Sequence, residues 1–146
     1  MDYRVERLRT PAECESFARN ATARNYPDLA LEARRKALHL QASTHEAASP
    51  AEAEGFAAVY AYELLLTRRN GKKTRATGIW QVIKRYGIIE AIERALSRPP
   101  DEEGQVTLRQ LGLEDFAFEA LVVRREASFS DTAITASKAR LAQQIK

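Results

Sequence analysis

Apolar residues recur in this sequence at intervals of three and four residues, and no stretch alternates them strictly with polar residues. Between residues 88 and 96, for example, Ile88, Ile92 and Leu96 fall on one face of a helix. A half-buried β-strand would instead need strict alternation. The sequence therefore predicts an all-α fold, a compact bundle of about seven helices that begins with a helical hairpin.

Local signals at helix ends divide the chain. Thr10-Pro11-Ala12-Glu13 and Ser49-Pro50-Ala51-Glu52 each combine a capping hydroxyl, a proline at the first helical position and a glutamate three residues after the cap. Tyr26-Pro27-Asp28 ends the first helix and offers Asp28 as the cap of the second. Asn70-Gly71 ends the long helix that follows Ser49. The predicted helices cover residues 11–25, 29–43, 50–69, 79–86, 88–96, 113 onward and 132–144, with a single turn at 106–111.

Length and composition are typical of one soluble helical domain, residues 1–146. A chain of 146 residues buries about 68–70% of its unfolded surface, and 45% hydrophobic with 29% charged residues is an ordinary globular composition. Residues 1–9 lack a clean period and carry three arginines, so we interpret them as a basic, extended N-terminal arm. Residues 101–105 (DEEGQ) are interpreted as an acidic surface loop.

Cysteine usage and hydropathy indicate the compartment. Cys14 is the only cysteine, so no intramolecular disulfide can form, and a small buried helix residue is the expected role. No apolar run approaches the roughly 18–20 residues that span a bilayer. The first nine residues are charged from the second onward, which is not the pattern of a signal peptide. We expect a cytoplasmic protein without membrane association.

Charge is distributed unevenly along the chain. Nine Lys and Arg against two acids lie between Leu66 and Arg98, a local charge of +7, whereas fourteen bases and eighteen acids occupy the rest, a charge of −4. Residues 68–77 form a basic connector, and two more cations follow at the end of the next predicted helix. Such asymmetry is the electrostatic pattern of a protein that binds a polyanion. The cations concerned are Arg68, Arg69, Lys72, Lys73, Arg75, Lys84 and Arg85.

Two interpretations of this basic 68–85 segment stand side by side. Lys and Arg that follow a phosphate backbone release condensed counterions, so the segment could bind DNA or RNA. The hydroxyls of Thr74 and Thr77, and the amides that begin the next helix, could add hydrogen bonds to phosphate. A solvated loop kept soluble by its charges has the same composition. Trp80 and Tyr86 could stack on bases, although Trp80 is expected in the core.

The order helix, glycine, helix in residues 79–96 invites comparison with a DNA-reading helix-turn-helix. In that motif a turn of about three to four residues joins the helices. Here Gly87 is followed at once by Ile88, and the second helix offers Glu90 and Glu93 where a major-groove reader needs Arg, Asn or Gln. We therefore expect backbone contacts rather than sequence-specific readout.

Signals for catalysis or a cofactor are weak. The sequence has no Gly-rich phosphate loop and no nucleophile–base pattern. His39 and His45 are six residues apart, whereas a metal pair on a helix uses i, i+4. Glu114-Asp115 is typical of the acidic start of a helix. We expect a non-enzymatic protein without a metal or another cofactor, although a site assembled from scattered residues stays open.

Two segments, YELLLTRRNGKKTRATGIWQVIKRYGIIEAIERALSR and LGLEDFAFEALVVRREASFS, resemble a family of small, all-helical bacterial proteins of unassigned function. The resemblance implies a bacterial, intracellular protein and carries no catalytic motif. From the residues themselves, the leading hypothesis is a helical protein that contacts the phosphate backbone of DNA or RNA through the basic 68–85 segment. The alternative is a protein–protein interaction module or homodimeric adaptor that uses the helical hairpin and the C-terminal helix.

Overall fold

The computed structural model describes residues 1–144, and that part of the chain is helical throughout, without a strand. This confirms the predicted all-α class. Residues 1–144 form nine α-helices rather than about seven, with short 3-10 helices at Glu114–Phe116 and Glu126–Ser128. The α-helices are α1 (Tyr3–Glu6), α2 (Pro11–Ala23), α3 (Pro27–Ala42), α4 (Pro50–Asn70), α5 (Thr77–Tyr86), α6 (Ile88–Leu96), α7 (Glu102–Gln110), α8 (Phe118–Arg124) and α9 (Asp131–Gln144).

The chain divides into two compact units, Met1–Glu46 and Ala47–Lys146. The first contains α1 and the predicted hairpin of α2 and α3. Small side chains let these two helices pack closely, with the partly buried Leu8, Phe17 and Leu29 around the contact. The alanines at the contact are Ala18, Ala21, Ala30 and Ala33. Whether the two units make one domain, as the sequence predicts, stays a prediction.

The N-terminal segment is not the extended arm that was predicted. Residues 3–6 form α1, because the Asp2 carboxylate accepts a hydrogen bond from the amide of Arg4 and so caps a helical turn. The Lys36 ammonium then donates to the carbonyls of Val5 and Glu6 at 2.9 and 2.7 Å. These hydrogen bonds satisfy carbonyl groups at the C-terminal end of α1 and hold α1 against α3.

Cys14 lies on α2 with no exposed surface, as expected for a small buried helix residue. Burial raises the pKa of the Cys14 thiol above its ordinary value. A thiol that is both buried and protonated at neutral pH is a poor nucleophile.

The second unit is organised around α4, which is buried along most of its length. Ser49 caps it as predicted, accepting a hydrogen bond from the amide of Glu52 at 3.2 Å. Gly71 ends it in the left-handed region with φ of 71°, also as predicted. Midway, Gly55 faces α6, and a Cβ there would lie 2.8 Å from Ile88 Cγ1. Glycine therefore permits the close approach of these two helices.

Two acidic side chains make hydrogen bonds at the starts of helices α7 and α9 in the second unit. Asp101 is the N-cap of α7, so the predicted acidic loop is instead the start of a helix. Glu93 of α6 accepts hydrogen bonds from the amide and the hydroxyl of Ser130, just before α9. No helix within residues 1–144 is long and apolar enough to cross a membrane.

Glu54 joins α4 to the end of α8 through two arginines. Its carboxylate accepts from Arg124 Nε at 2.7 Å and from Arg125 Nε at 2.6 Å. Burial acts to raise the pKa of Glu54, but the hydrogen bonds from the two guanidinium groups outweigh it and hold the pKa below the ordinary value of 4.5. The ionised carboxylate therefore stabilises the folded state above the unfolded pKa, and this contribution is lost as the pH falls through the folded pKa.

We predict that Glu54→Gln lowers the free energy of unfolding by about 1 kcal/mol at pH 7, since the two arginines are half exposed and screened. Urea unfolding from pH 7 down to pH 3 measures this. The difference from wild type should shrink below pH 4.5, where the unfolded carboxylate takes up its proton first, and it should be lost once the pH has fallen through the lower pKa of the native carboxylate. A difference that stays constant to pH 3 would contradict the assignment.

Candidate nucleic-acid interface

The seven cations predicted as site residues lie on three consecutive parts of the second unit. Arg68 and Arg69 are in the last turn of α4, and Lys84 and Arg85 are in the last turn of α5. Lys72, Lys73 and Arg75 lie in the connector between the two helices, which spans residues 71–76. All seven are exposed. Lys84 and Arg85 lie at the end of α5 away from the connector, about 12 Å along the helix. The seven cations are therefore spread along the segment, and they are not all free of a carboxylate partner.

Glu63 anchors the connector to α4. Its Oε2 accepts three hydrogen bonds, from Arg75 Nε at 2.9 Å, from the Ala76 amide at 2.8 Å and from Trp80 Nε1 at 2.7 Å. Glu63 is only 8% exposed, so its charge would be costly without these donors. The sequence interpretation did not single out Glu63. A lone acid in the apolar run YAYELLL was the available signal.

A second carboxylate engages Arg69. Asp101 Oδ2 accepts from the Arg69 guanidinium at 2.7 Å, while Oδ1 accepts from the Gly104 amide at 2.9 Å. Burial acts to raise the pKa of Asp101, but the hydrogen bond from Arg69 and then that from Gly104 outweigh it, so the pKa lies below its ordinary value. Gly104 is required here because a Cβ would lie 2.5 Å from Asp101 Oδ2.

The remaining five cations take part in no ion pair within residues 1–144. Unlike Arg69 and Arg75, they have no carboxylate at salt-bridge distance. Arg85 makes an aromatic contact only, with its guanidinium 5.6 Å from the centroid of the Tyr86 ring. We call this set the free cations: Arg68, Lys72, Lys73, Lys84 and Arg85.

Thr74 in the connector and Thr77 at the start of α5 differ in the hydrogen bonds that their hydroxyls make. The Thr74 hydroxyl donates to the Lys72 carbonyl at 2.9 Å and accepts from the Asn70 amide group, so it braces the connector. Thr77 is exposed and begins α5, but it does not cap it, because Ala76 is the N-cap and makes no side-chain bond. Neither threonine therefore caps α5. The first amides of α5 have no capping side chain.

The two aromatic residues also have different environments. Trp80 packs beside Phe56 and Tyr60 of α4, with ring centroids 6.4 and 5.2 Å away, but it is half-buried rather than fully in the core. Tyr86 is 47% exposed, and the Arg94 guanidinium lies 3.8 Å from its ring centroid. Tyr86 and its two arginine neighbours thus form a planar, cationic surface at the end of α5.

The helix-turn-helix comparison fails on geometry. Gly87 alone separates α5 from α6, and α6 buries Ile88, Ala91, Ile92 and Leu96. The opposite face of α6 exposes Glu90 and Arg94. That the second helix does not read base sequence stays a prediction.

Acids elsewhere have structural partners. Glu119, 7% exposed, accepts from Gln105 and Arg140, and Glu114 and Asp115 begin a 3-10 helix. Over residues 1–144, no three His, Cys, Asp or Glu side chains are grouped to hold a metal ion. His39 and His45 therefore belong to no such group.

Nothing matches this chain in comparisons with protein-family models, with curated proteins or with solved structures. The resemblance to a family of bacterial helical proteins stays an expectation. Function is therefore inferred from the residues and their geometry.

Proposed function

We propose that the protein binds DNA or RNA without enzymatic activity, through phosphate contacts made by the free cations. The observation that carries the proposal is that Arg68, Lys72, Lys73, Lys84 and Arg85 have no carboxylate partner within residues 1–144 although the chain is rich in acids. Arg94, by contrast, pairs with Glu90 on its own helix. No carboxylate of the protein neutralises such a cation, so its charge attracts an external polyanion.

Two further features support phosphate recognition. The connector is held by Glu63, so Lys72 and Lys73 project from a backbone with a defined conformation and lose less entropy on binding. The Tyr86 surface with Arg85 and Arg94 offers a plane on which an unpaired base can stack. Without a helix to enter the major groove, we infer binding that is independent of base sequence.

Salt dependence tests this proposal. Five phosphate contacts predict a slope of log K against log salt of about −4.5 for duplex DNA and about −3.5 for a single strand. Fluorescence anisotropy with a mixed-sequence DNA duplex and a single-stranded RNA, each over a series of salt concentrations, gives both slopes. The single strand should bind more tightly if Tyr86 stacks on bases. No binding to either probe at low salt would overturn the proposal.

A protein–protein function is the second candidate, and an observation on the first unit favours it. Tyr3 and Tyr26 of that unit are 66% and 56% exposed. Exposed aromatic residues and arginine are enriched at protein interfaces. Light scattering across a range of protein concentrations tests for a homodimer, and Tyr26→Ser would dissociate one that forms there.

A further inference from the structure

A cleft of about 520 Å³ opens in the second unit, and of the seven predicted cations only Arg75 lines it. Helices α4 to α9 all contribute to its walls. Sites for small organic ligands commonly measure about 300–1,000 Å³ and are mostly apolar with a few charged groups. The larger apolar side chains that line this cleft are Leu65, Leu66, Val82, Leu108, Phe116 and Phe118.

More positively charged than negatively charged side chains line the cleft. Four arginines but only two carboxylates line it. Both carboxylates already have strong donors, since Asp101 is bound by Arg69 and Glu119 by Arg140 at 3.3 Å. Arg140 is itself largely buried and donates to the carbonyls of Leu96 and Arg98. The acids are thus neutralised within the protein and do not attract a cationic ligand.

Arg98 differs from the other three arginines. Arg75 and Arg94 pair with Glu63 and Glu90, whereas the exposed Arg98 side chain makes no ion pair within residues 1–144. Its carbonyl, not its guanidinium, receives Arg140. Residues of the first turn of α5 also line the cleft, and no side chain caps that helix, so its positive end adds to the potential there.

We propose that this cleft binds a small organic anion, a carboxylate with an apolar body. The apolar body is buried among the leucines and phenylalanines, and the carboxylate pairs with Arg98 at the rim. The site does not depend on the proposed nucleic-acid function, because none of the free cations lines the cleft. Either proposal can therefore fail alone.

Titration calorimetry with decanoate, decanol and decylamine below their micellar limits tests the cleft. Decanoate should bind most tightly and decylamine least. Arg98→Glu should weaken decanoate by about tenfold or more, since an attraction becomes a repulsion. Arg109→Glu is the matched control, because Arg109 is exposed in the same unit but does not line the cleft, and it should change affinity less than twofold.

Ala95→Phe provides a steric test, since Ala95 lines the cleft and a phenyl ring would fill it. Decanoate binding should be abolished while the helical circular dichroism and the melting temperature stay close to wild type. Arg98→Glu remains a test of the proposal if this variant does not fold. Equal affinity for decanoate and decylamine, equal effects of Arg98→Glu and Arg109→Glu, or no binding by the folded wild type would each overturn the assignment.

Discussion

Lys72→Glu combined with Lys73→Glu is expected to lower the affinity for duplex DNA about 100-fold or more near 50 mM salt. Each phosphate contact contributes on the order of tenfold there through counterion release, and reversal adds repulsion to the loss. Fluorescence anisotropy measures the effect, and the salt slope should become shallower by about two units. Stability should change little, because neither side chain makes an ion pair within residues 1–144.

The control for this variant is Arg7→Glu combined with Arg24→Glu. Both arginines are exposed, neither makes an ion pair within residues 1–144, and the change in net charge is the same. Its affinity should fall far less, because its charges lie outside the free cations. Equal losses in the two double variants would show that net charge alone drives binding, and the assigned interface would then be wrong.

Arg75 is left unchanged in the experiment although it was predicted as a site residue. Its Nε is bonded to Glu63 at 2.9 Å, so reversing its charge would place two carboxylates together and disturb the connector. Loss of binding in such a variant could not be separated from loss of structure. The same reasoning excludes Arg69, which is paired with Asp101.

Helix boundaries governed by local chemistry were predictable from the sequence. Thr10 and Ser49 cap their helices, and Gly71 adopts the left-handed conformation that ends α4. Asp28 was wrongly assigned as a cap because Pro27 is already the first residue of α3, with Tyr26 as its N-cap. Asp101 was missed although it is followed by two acids in a first helical turn, which is a recognisable start signal.

Which cations form an ion pair with a carboxylate could not be predicted from local sequence signals. Arg69 and Asp101 are 32 residues apart, and Arg75 meets Glu63 across 12 residues. Which carboxylate reaches which guanidinium depends on how α4, α5 and α7 pack, and sequence periodicity does not specify that packing. The sequence therefore predicts a basic segment, while the structure separates its braced arginines from its free cations.

Glu63→Ala is expected to lower the free energy of unfolding by about 3 kcal/mol. The substitution removes an acceptor shared by three donors and leaves the buried Ala76 amide and the half-buried Trp80 indole without that partner. Trp80 is the only tryptophan, so its fluorescence reports the site directly during urea unfolding. Its emission should shift in the folded variant as well, because the indole N–H loses its carboxylate.

Glu63→Gln separates hydrogen bonding from charge. The amide oxygen can still accept from Ala76 and Trp80, but the ionic attraction to Arg75 is lost, so we expect about 1 kcal/mol of destabilisation. Glu15→Ala is the control, since Glu15 forms only an exposed pair with Arg19 and should stay within about 0.5 kcal/mol of wild type. Glu63→Ala with wild-type stability and wild-type Trp80 emission would refute the anchoring role.

Comparison of the Glu63 variants with the Lys72/Lys73 double variant separates two contributions to DNA binding. One is the charge of the lysines, and the other is the fixed conformation of the connector. Reversal of the lysines should weaken DNA binding without loss of stability, whereas Glu63→Ala should lower stability and also weaken binding by loosening the connector. If Glu63→Ala binds DNA as tightly as wild type at a temperature where it is folded, the free cations do not need a fixed connector. Phosphate recognition would then depend on the number of cations in the segment rather than on their arrangement.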